Sequence, residues 1–341
     1  MVNFVFVDVD TGVDDALALL YLLASPDADL VGIASTGGNV AVQQVCANNL
    51  GLLELCRVSE IPVSRGADAT LTGPVRASSK SHGPRGLGYA ELPATDRRLT
   101  GYDSATAWVR AAHAFAGELI GVVTGPLTNV ARALRAEPAL PRLLRRLVIM
   151  GGCYDGSAVA EWNISVDPEA AAEVLTAWFL DDLPILCGLD LTRNVTMTPG
   201  ILAQLAVAAG AETAMLSAHD ERGTRSAASN PVIRVIEDAM RFYLEAHYDA
   251  GHGYLAHLHD PLAAAIALDT DLVVTRPATV HVEVPRGTTL TDPPSAGGTS
   301  TLRSKERKPN AVIGIDVDRE MFFDRFIQRV GILARRMGNS S

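Results

Sequence analysis

The chain has 341 residues, 48% hydrophobic and 20% charged, which is enough apolar content to offset the entropy of ordering a backbone and excludes disorder of the bulk. At about 150 residues per domain, the length allows one large domain or two small ones. Thirty-nine acidic residues against 29 basic ones leave a net charge of −10, which repels polyanions and argues against nucleic acid or an anionic membrane surface as partner.

Residues 3–9 are β-branched and aromatic and read as a strand; after Thr11-Gly12, the Ala and Leu content of residues 13–24 favours a helix. A second unit follows, with a strand at 29–36, a loop at Gly37-Gly38-Asn39 and a helix at 40–56. Strands near 119–124, 146–150 and 184–188 repeat the alternation, each followed by a turn and a helix-like stretch. This order predicts an α/β fold: a Rossmann-like, mostly parallel central sheet flanked by helices, as one domain over residues 1–341. In such sheets ligands bind beyond the carboxyl ends of the strands, so the chemistry belongs in the loops that follow them.

Two stretches, 74–98 and 288–309, are rich in Gly, Pro, Ser and charge and read as long loops. The first contains His82-Gly83. A helix over 231–250 carries Phe242, Tyr243, His247 and Tyr248, and a short Gly-rich segment then leads to His257, His259 and Asp260. Strand-like residues 272–284 and 311–317 and a helix over 319–336 close the chain. Cys46, Cys56, Cys153 and Cys187 form no pair of zinc or redox spacing and read as reduced thiols. With no basic leader and no uncharged apolar run of about 20 residues, a cytoplasmic location is expected.

The most informative segment is Asp8-Val9-Asp10-Thr11-Gly12-Val13-Asp14-Asp15, four carboxylates at the end of the first strand. Crowded like charges raise one another's pKa, and a divalent cation is the simple remedy. Oxygen ligands alone suit Ca²⁺ or Mg²⁺. One or two of these acids could merely cap the following helix, but four exceed that need. The spacing is not that of an EF-hand.

Taken alone, an apolar strand ending in DVDTG also resembles the first motif of haloacid-dehalogenase-like phosphatases. Such phosphoryl transfer needs a later cation, usually Lys, and a further acidic motif that often includes Gly-Asp. Here Lys80, Lys305 and Lys308 are the only lysines, all in loop-like stretches, and Gly-Asp is absent. The whole array points elsewhere. DVDTGVDDALAL, Thr36-Gly37-Gly38-Asn39, His82-Gly83, Thr124-Gly125-Pro126-Leu127-Thr128-Asn129, Met150-Gly151-Gly152, Glu161-Trp162-Asn163 and His259-Asp260-Pro261 follow one another at predicted strand ends and loops. Together they resemble the inosine-uridine-preferring nucleoside hydrolase family over nearly the full length.

The resemblance implies a calcium-dependent N-ribohydrolase that splits a ribonucleoside into free base and ribose. It implies Ca²⁺ held by Asp10, Asp15, the backbone carbonyl of Thr124, and Asp260. Asp10 would double as the general base of an oxocarbenium-like hydrolysis. Asp14 would hold the 2′-hydroxyl, and Asn39, Glu161 and Asn163 the remaining hydroxyls, so deoxynucleosides should be poor substrates. Asp8, with no direct role by resemblance, would orient its neighbours. Met150 and Trp162 would wall the sugar. His259 would protonate the leaving base, as histidine titrates near neutrality. His82 would contact the nucleoside, and Tyr243 and His247, four apart on one helix face, could reach the base.

Two departures from the family pattern stand out. The stretch between Met150 and Glu161 is short, and the Asn that helps hold the 5′-hydroxyl has no clear match, with Ser157 as the nearest substitute. The run Phe-Tyr-Leu-Glu-Ala-His at 242–247 looks more like pyrimidine-preferring bacterial relatives and leans the reading to uridine and cytidine, with inosine as a further substrate. The resemblance also implies a homodimer or homotetramer.

Overall fold

β1 (Asn3–Val9) alternates its side chains between the two faces of a central sheet. Val5, Val7 and Val9 enter one hydrophobic core, while Phe6 enters the other. The structure, a computed structural model, describes residues 2–75, 80–157, 159–178, 182–212, 214–284, 286–291 and 308–339. Residues 76–79 of the first predicted loop and 292–307 of the second lie outside them.

The chain runs from β1 through α1 (Val13–Ala24), β2 (Ala28–Ser35), α2 (Val42–Leu55), β3 (Val63–Arg65), α3 (Ser104–Ala114), β4 (Leu119–Val123) and α4 (Thr128–Ala136). It continues through α5 (Leu140–Leu143), β5 (Leu144–Met150), α6 (Trp162–Val166), α7 (Pro168–Thr176), β6 (Ile185–Cys187) and α8 (Leu189–Thr192). After β7 (Thr196–Met197) come α9 (Pro199–Ala208), α10 (Pro231–Asp249), β8 (Ala256–His257) and α11 (His259–Leu268). β9 (Val273–Ala278), β10 (Val280–Glu283), β11 (Thr288–Thr291), β12 (Ala311–Val317) and α12 (Arg319–Gly338) close it.

Eight strands form the sheet in the order β3-β2-β1-β4-β5-β6-β12-β9. Every pairing is parallel except β12 with β9. Helices cover both faces, as the sequence predicts. The strand-like run 272–284 is not one strand. β9 lies antiparallel at the edge of the main sheet, and β10 turns away to pair with β11, so residues 288–291 are a hairpin arm rather than the start of a loop. Pro277, which lacks an amide hydrogen, sits on the edge strand where that lack is tolerated.

Parallel strands β2 and β4 flank β1, so the chain leaves β1 toward both sides and a crevice opens at the carboxyl ends there. α1 begins in that crevice and is buried from Val13 to Leu22. A helix apolar nearly all round belongs inside the molecule, and each of its buried leucines contributes about 1.5–3 kcal/mol. This seats Asp14 and Asp15, on its first turn, under the crevice. Among the described residues, no helix is long and apolar enough to cross a membrane.

Candidate active site

The loop after β1 gathers the acids. Asp8 is still on the strand, and its place in the alternation turns it to the α3 face, where it accepts hydrogen bonds from Trp108 Nε1 (2.7 Å) and Asn129 Nδ2 (2.9 Å). Burial pushes its carboxyl up to about 7, against the pull of those two donors. Asp8 thus acts from behind the site. Asp10, just past the strand, accepts from the amide of Asn39 through Oδ2 at 2.7 Å, while its Oδ1 is buried without a partner. Close approach explains the glycines around it: a Cβ on Gly38 would collide with Asp10 Oδ2, and one on Gly12 would stand 2.7 Å from His82 Nδ1.

Asp15 closes the first turn of α1 by accepting from the Gly12 amide (2.8 Å) and also accepts from the Thr124 hydroxyl (2.6 Å). Asp14 and Asp15 meet Asp260, on the first turn of α11. Oxygens of the three carboxylates lie within 4.8 Å of one another, the one such cluster of ligating groups among the described residues. Asp14 Oδ1, like Asp10 Oδ1, is buried without a partner. Burial first, and then the charges of neighbouring acids, hold Asp10 and Asp260 well above the usual carboxylate range and push Asp14 up to about 8. Burial also raises Asp15, against the donors that hold it. Crowded, buried, oxygen-only and short of donors, these acids fit a hard divalent cation, so the cluster could hold a metal ion.

Above this floor lies a cavity of about 360 Å³. Of the candidate residues named from the sequence, all line it except Asp8, Asp10, Asp15 and Ser157. Asn163 Nδ2 donates to the carbonyls of Thr124 (2.7 Å) and Met150 (3.2 Å) and contacts Met150 Sδ, so it ties the ends of β4 and β5 together. Glu161 is the N-cap of α6, accepting from the amides of Asn163, Ile164 and Gly152. Asn39 Nδ2 reaches Asp15 Oδ2 at 3.4 Å. Trp162, also in the lining, has a buried Nε1 without a partner. Ser157 instead holds Asp155 and Cys153 and is not among the lining residues.

The opposite wall is aromatic. His82 Nδ1 accepts from the Val13 amide at 3.1 Å, so its 3.8 Å approach to Asp14 is not an ion pair; burial and the nearby His247 lower it to about 4. The Tyr243 ring lies between His82, tilted against it at 5.1 Å, and His247, edge-on to it at 4.5 Å. After burial, the charges of Asp14, Asp260 and Asp15 push its phenol well above the usual value. His247 donates from Nδ1 to the Tyr243 carbonyl at 3.0 Å. His259 Nδ1 is 2.6 Å from the Thr192 hydroxyl. Burial, followed by His257 and His247, lowers His259 well below the ordinary histidine value. The expectation that it titrates near neutrality gives way to burial, and at pH 7 it is neutral.

Comparison with known proteins accords with this geometry. Residues 5–324 match the family described as inosine-uridine preferring nucleoside hydrolases. The chain belongs to that family. Over 339 residues, covering 97% of the chain and 99% of the relative, this nucleoside hydrolase is 32% identical to the pyrimidine-specific ribonucleoside hydrolase RihA of Escherichia coli. Among solved structures, it resembles a purine-preferring ribonucleoside hydrolase from Gardnerella vaginalis, with a TM-score of 0.83, 28% identity and coverage of 98% and 100% of the two chains. A plant nucleoside hydrolase gives a TM-score of 0.82 at 26% identity, covering 96% and 98%. One fold therefore serves proteins named for opposite base preferences.

Several residues around this candidate site were not singled out in the sequence. Thr192, fully buried, orients His259, and Trp108 holds Asp8 together with Asn129, the last residue of the Thr124 to Asn129 motif. Ser81, Val159, Ala160, Leu189 and Arg193 complete the cavity wall. Of these, Thr192 and Arg193 lie just beyond the strand-like segment 184–188, where the rule of carboxyl ends directs attention.

Proposed function

We propose that the chain hydrolyses the N-glycosidic bond of uridine and cytidine, with inosine as a further substrate, and does so with Ca²⁺. The observation that carries this is the buried oxygen cluster at the carboxyl ends of β1, β2 and β4, with Asp10 Oδ1 and Asp14 Oδ1 left without partners beneath the cavity. Asp10, Asp15, Asp260 and the Thr124 carbonyl would hold the ion. Calcium bound there supplies the positive charge that lets these acids ionise together and acidifies water beside it. The Phe242 to His247 run and the name of the 32% identical relative support the pyrimidine preference.

In this reading Asp10 takes the proton of the attacking water on Oδ1, while the Asn39 amide fixes Oδ2. The water oxygen bonds to C1′ as the bond from C1′ to the base breaks. Asp14 Oδ1 accepts from the 2′-hydroxyl, and Asn39, Glu161 and Asn163 serve the other hydroxyls. Met150 and Trp162 wall the sugar, and His82, Tyr243 and His247 line the base. With Nδ1 accepting from the Thr192 hydroxyl, His259 presents Nε2–H to the departing base. The buried free thiols support a cytoplasmic location, and the family resemblance supports a homodimer or homotetramer.

The test is release of free base from uridine, cytidine, inosine and adenosine, with added Ca²⁺, with excess chelator, and in Asp10→Ala. Release from uridine and cytidine is expected to exceed that from the purine nucleosides, and to fall at least about a hundredfold in chelator and in the variant. Turnover that survives chelation, or a preference for adenosine, would overturn the reading.

A further inference from the structure

A pyrimidine leaves C1′ with the electron pair of the broken bond, and negative charge gathers on its ring nitrogen and carbonyl oxygens. The cavity floor cannot stabilise that charge, because its side chains are carboxylates. Among the described residues lining the cavity, the fixed cation is Arg193; the histidines there are neutral or titrate, and no lysine lines it.

Arg193 is held at the leaving-group side by its backbone. It directly follows Thr192, whose hydroxyl meets His259 at 2.6 Å, and it is the C-cap residue of α8, its amide donating to the Leu189 carbonyl. The paired strands β7 and β8 join Thr196 to His257, and the Leu258 amide donates to the Val195 carbonyl, which locks the segment after Arg193 against the strand that leads into α11, whose first residue is His259. The Arg193 side chain is exposed and forms no ion pair among the described residues; its charge acts on the exposed Asp155 only beyond ion-pair distance. That charge is felt at the neighbouring His257.

Resting on the proposed hydrolysis, we infer that Arg193 is the group that stabilises the negative charge on the departing base, by donating from its guanidinium to a carbonyl oxygen of the pyrimidine. The electron pair stays with the base, which accepts a hydrogen bond from His259 Nε2–H while Arg193 gives up no proton; the released base takes a proton from solvent water, and Asp10 returns to solvent the one it took from the attacking water. A bound base also covers the guanidinium from solvent, which strengthens the interaction as charge develops.

Arg193→Ala, Arg193→Gln and Arg193→Lys, compared with wild type on uridine and on p-nitrophenyl riboside, decide the matter. Nitrophenolate is a good leaving group that needs no help. We expect kcat on uridine to fall about tenfold to a hundredfold in the Ala and Gln variants, with KM little changed and partial recovery in Lys. Turnover of the nitrophenyl riboside should stay within about threefold of wild type. Equal losses on both substrates, a change in KM alone, or a loss seen only with uridine 5′-monophosphate would overturn the inference, the last by making Arg193 a phosphate contact. Wild type inactive on both substrates would instead overturn the hydrolase reading, and the role of Arg193 with it.

Discussion

His259 is a buried imidazole whose geometry depends on one hydroxyl. The Thr192 side chain, 2.6 Å from Nδ1, fixes the ring plane, and so decides which nitrogen faces the cavity. Thr192→Val keeps the volume but removes the hydroxyl, leaving Nδ1 buried without a partner at a net cost of about 1–3 kcal/mol. We expect kcat on uridine to fall about tenfold while KM holds, and circular dichroism to be unchanged. An unaltered kcat would mean that His259 is oriented by something else. The contrast with Asp10 is instructive. Four acids in eight residues are legible in the sequence because no helix cap needs so many, whereas a lone threonine on a short helix has nothing to mark it until the fold brings it against a ring 67 residues away.

Elements carry the site through their ends. β1 supplies Asp8 inward and then releases Asp10, α1 offers its first turn, and α6 begins at Glu161, whose carboxylate accepts from three amides, one of them in the loop after β5. Glu161 is thus a cap as well as a cavity wall. Its replacement by Ala should cost about 1–2 kcal/mol in urea unfolding and should lower kcat/KM, because the Gly152 loop and Asn163 both lose an anchor. Lost activity at unchanged stability would assign Glu161 wholly to the substrate. Those elements that build the sheet centre were legible, since apolar strands followed by Ala- and Leu-rich helices admit few other arrangements. The run at 272–284 misled because β-branched residues continue across the break after Ala278; periodicity does not record a change of sheet, although Pro277 marks the edge.

At the scale of the molecule, the buried acids tie metal binding to folding. Burial raises Asp8 to about 7 and Asp14 to about 8 from the ordinary 3.8, and Asp10, Asp15, Asp260 and Glu161 move in the same direction. A raised carboxylate binds its proton in the folded state at pH values where the unfolded chain has already lost it. Without metal, therefore, stability is greatest below about pH 4 on this account and declines as pH rises toward 8. The net charge of −10 adds self-repulsion in the same direction. A cation reverses the balance, because it binds the ionised ligands and must displace their protons at low pH. We expect the melting temperature of chelator-treated protein to fall between pH 5 and pH 8, and the rise produced by excess Ca²⁺ to be small at pH 5 and to grow across the same window. Thermal melts at four pH values, with and without the ion, suffice. A calcium-induced rise that is the same at every pH would show that the ion does not compete with these protons, and would place its ligands outside the Asp10, Asp15 and Asp260 cluster.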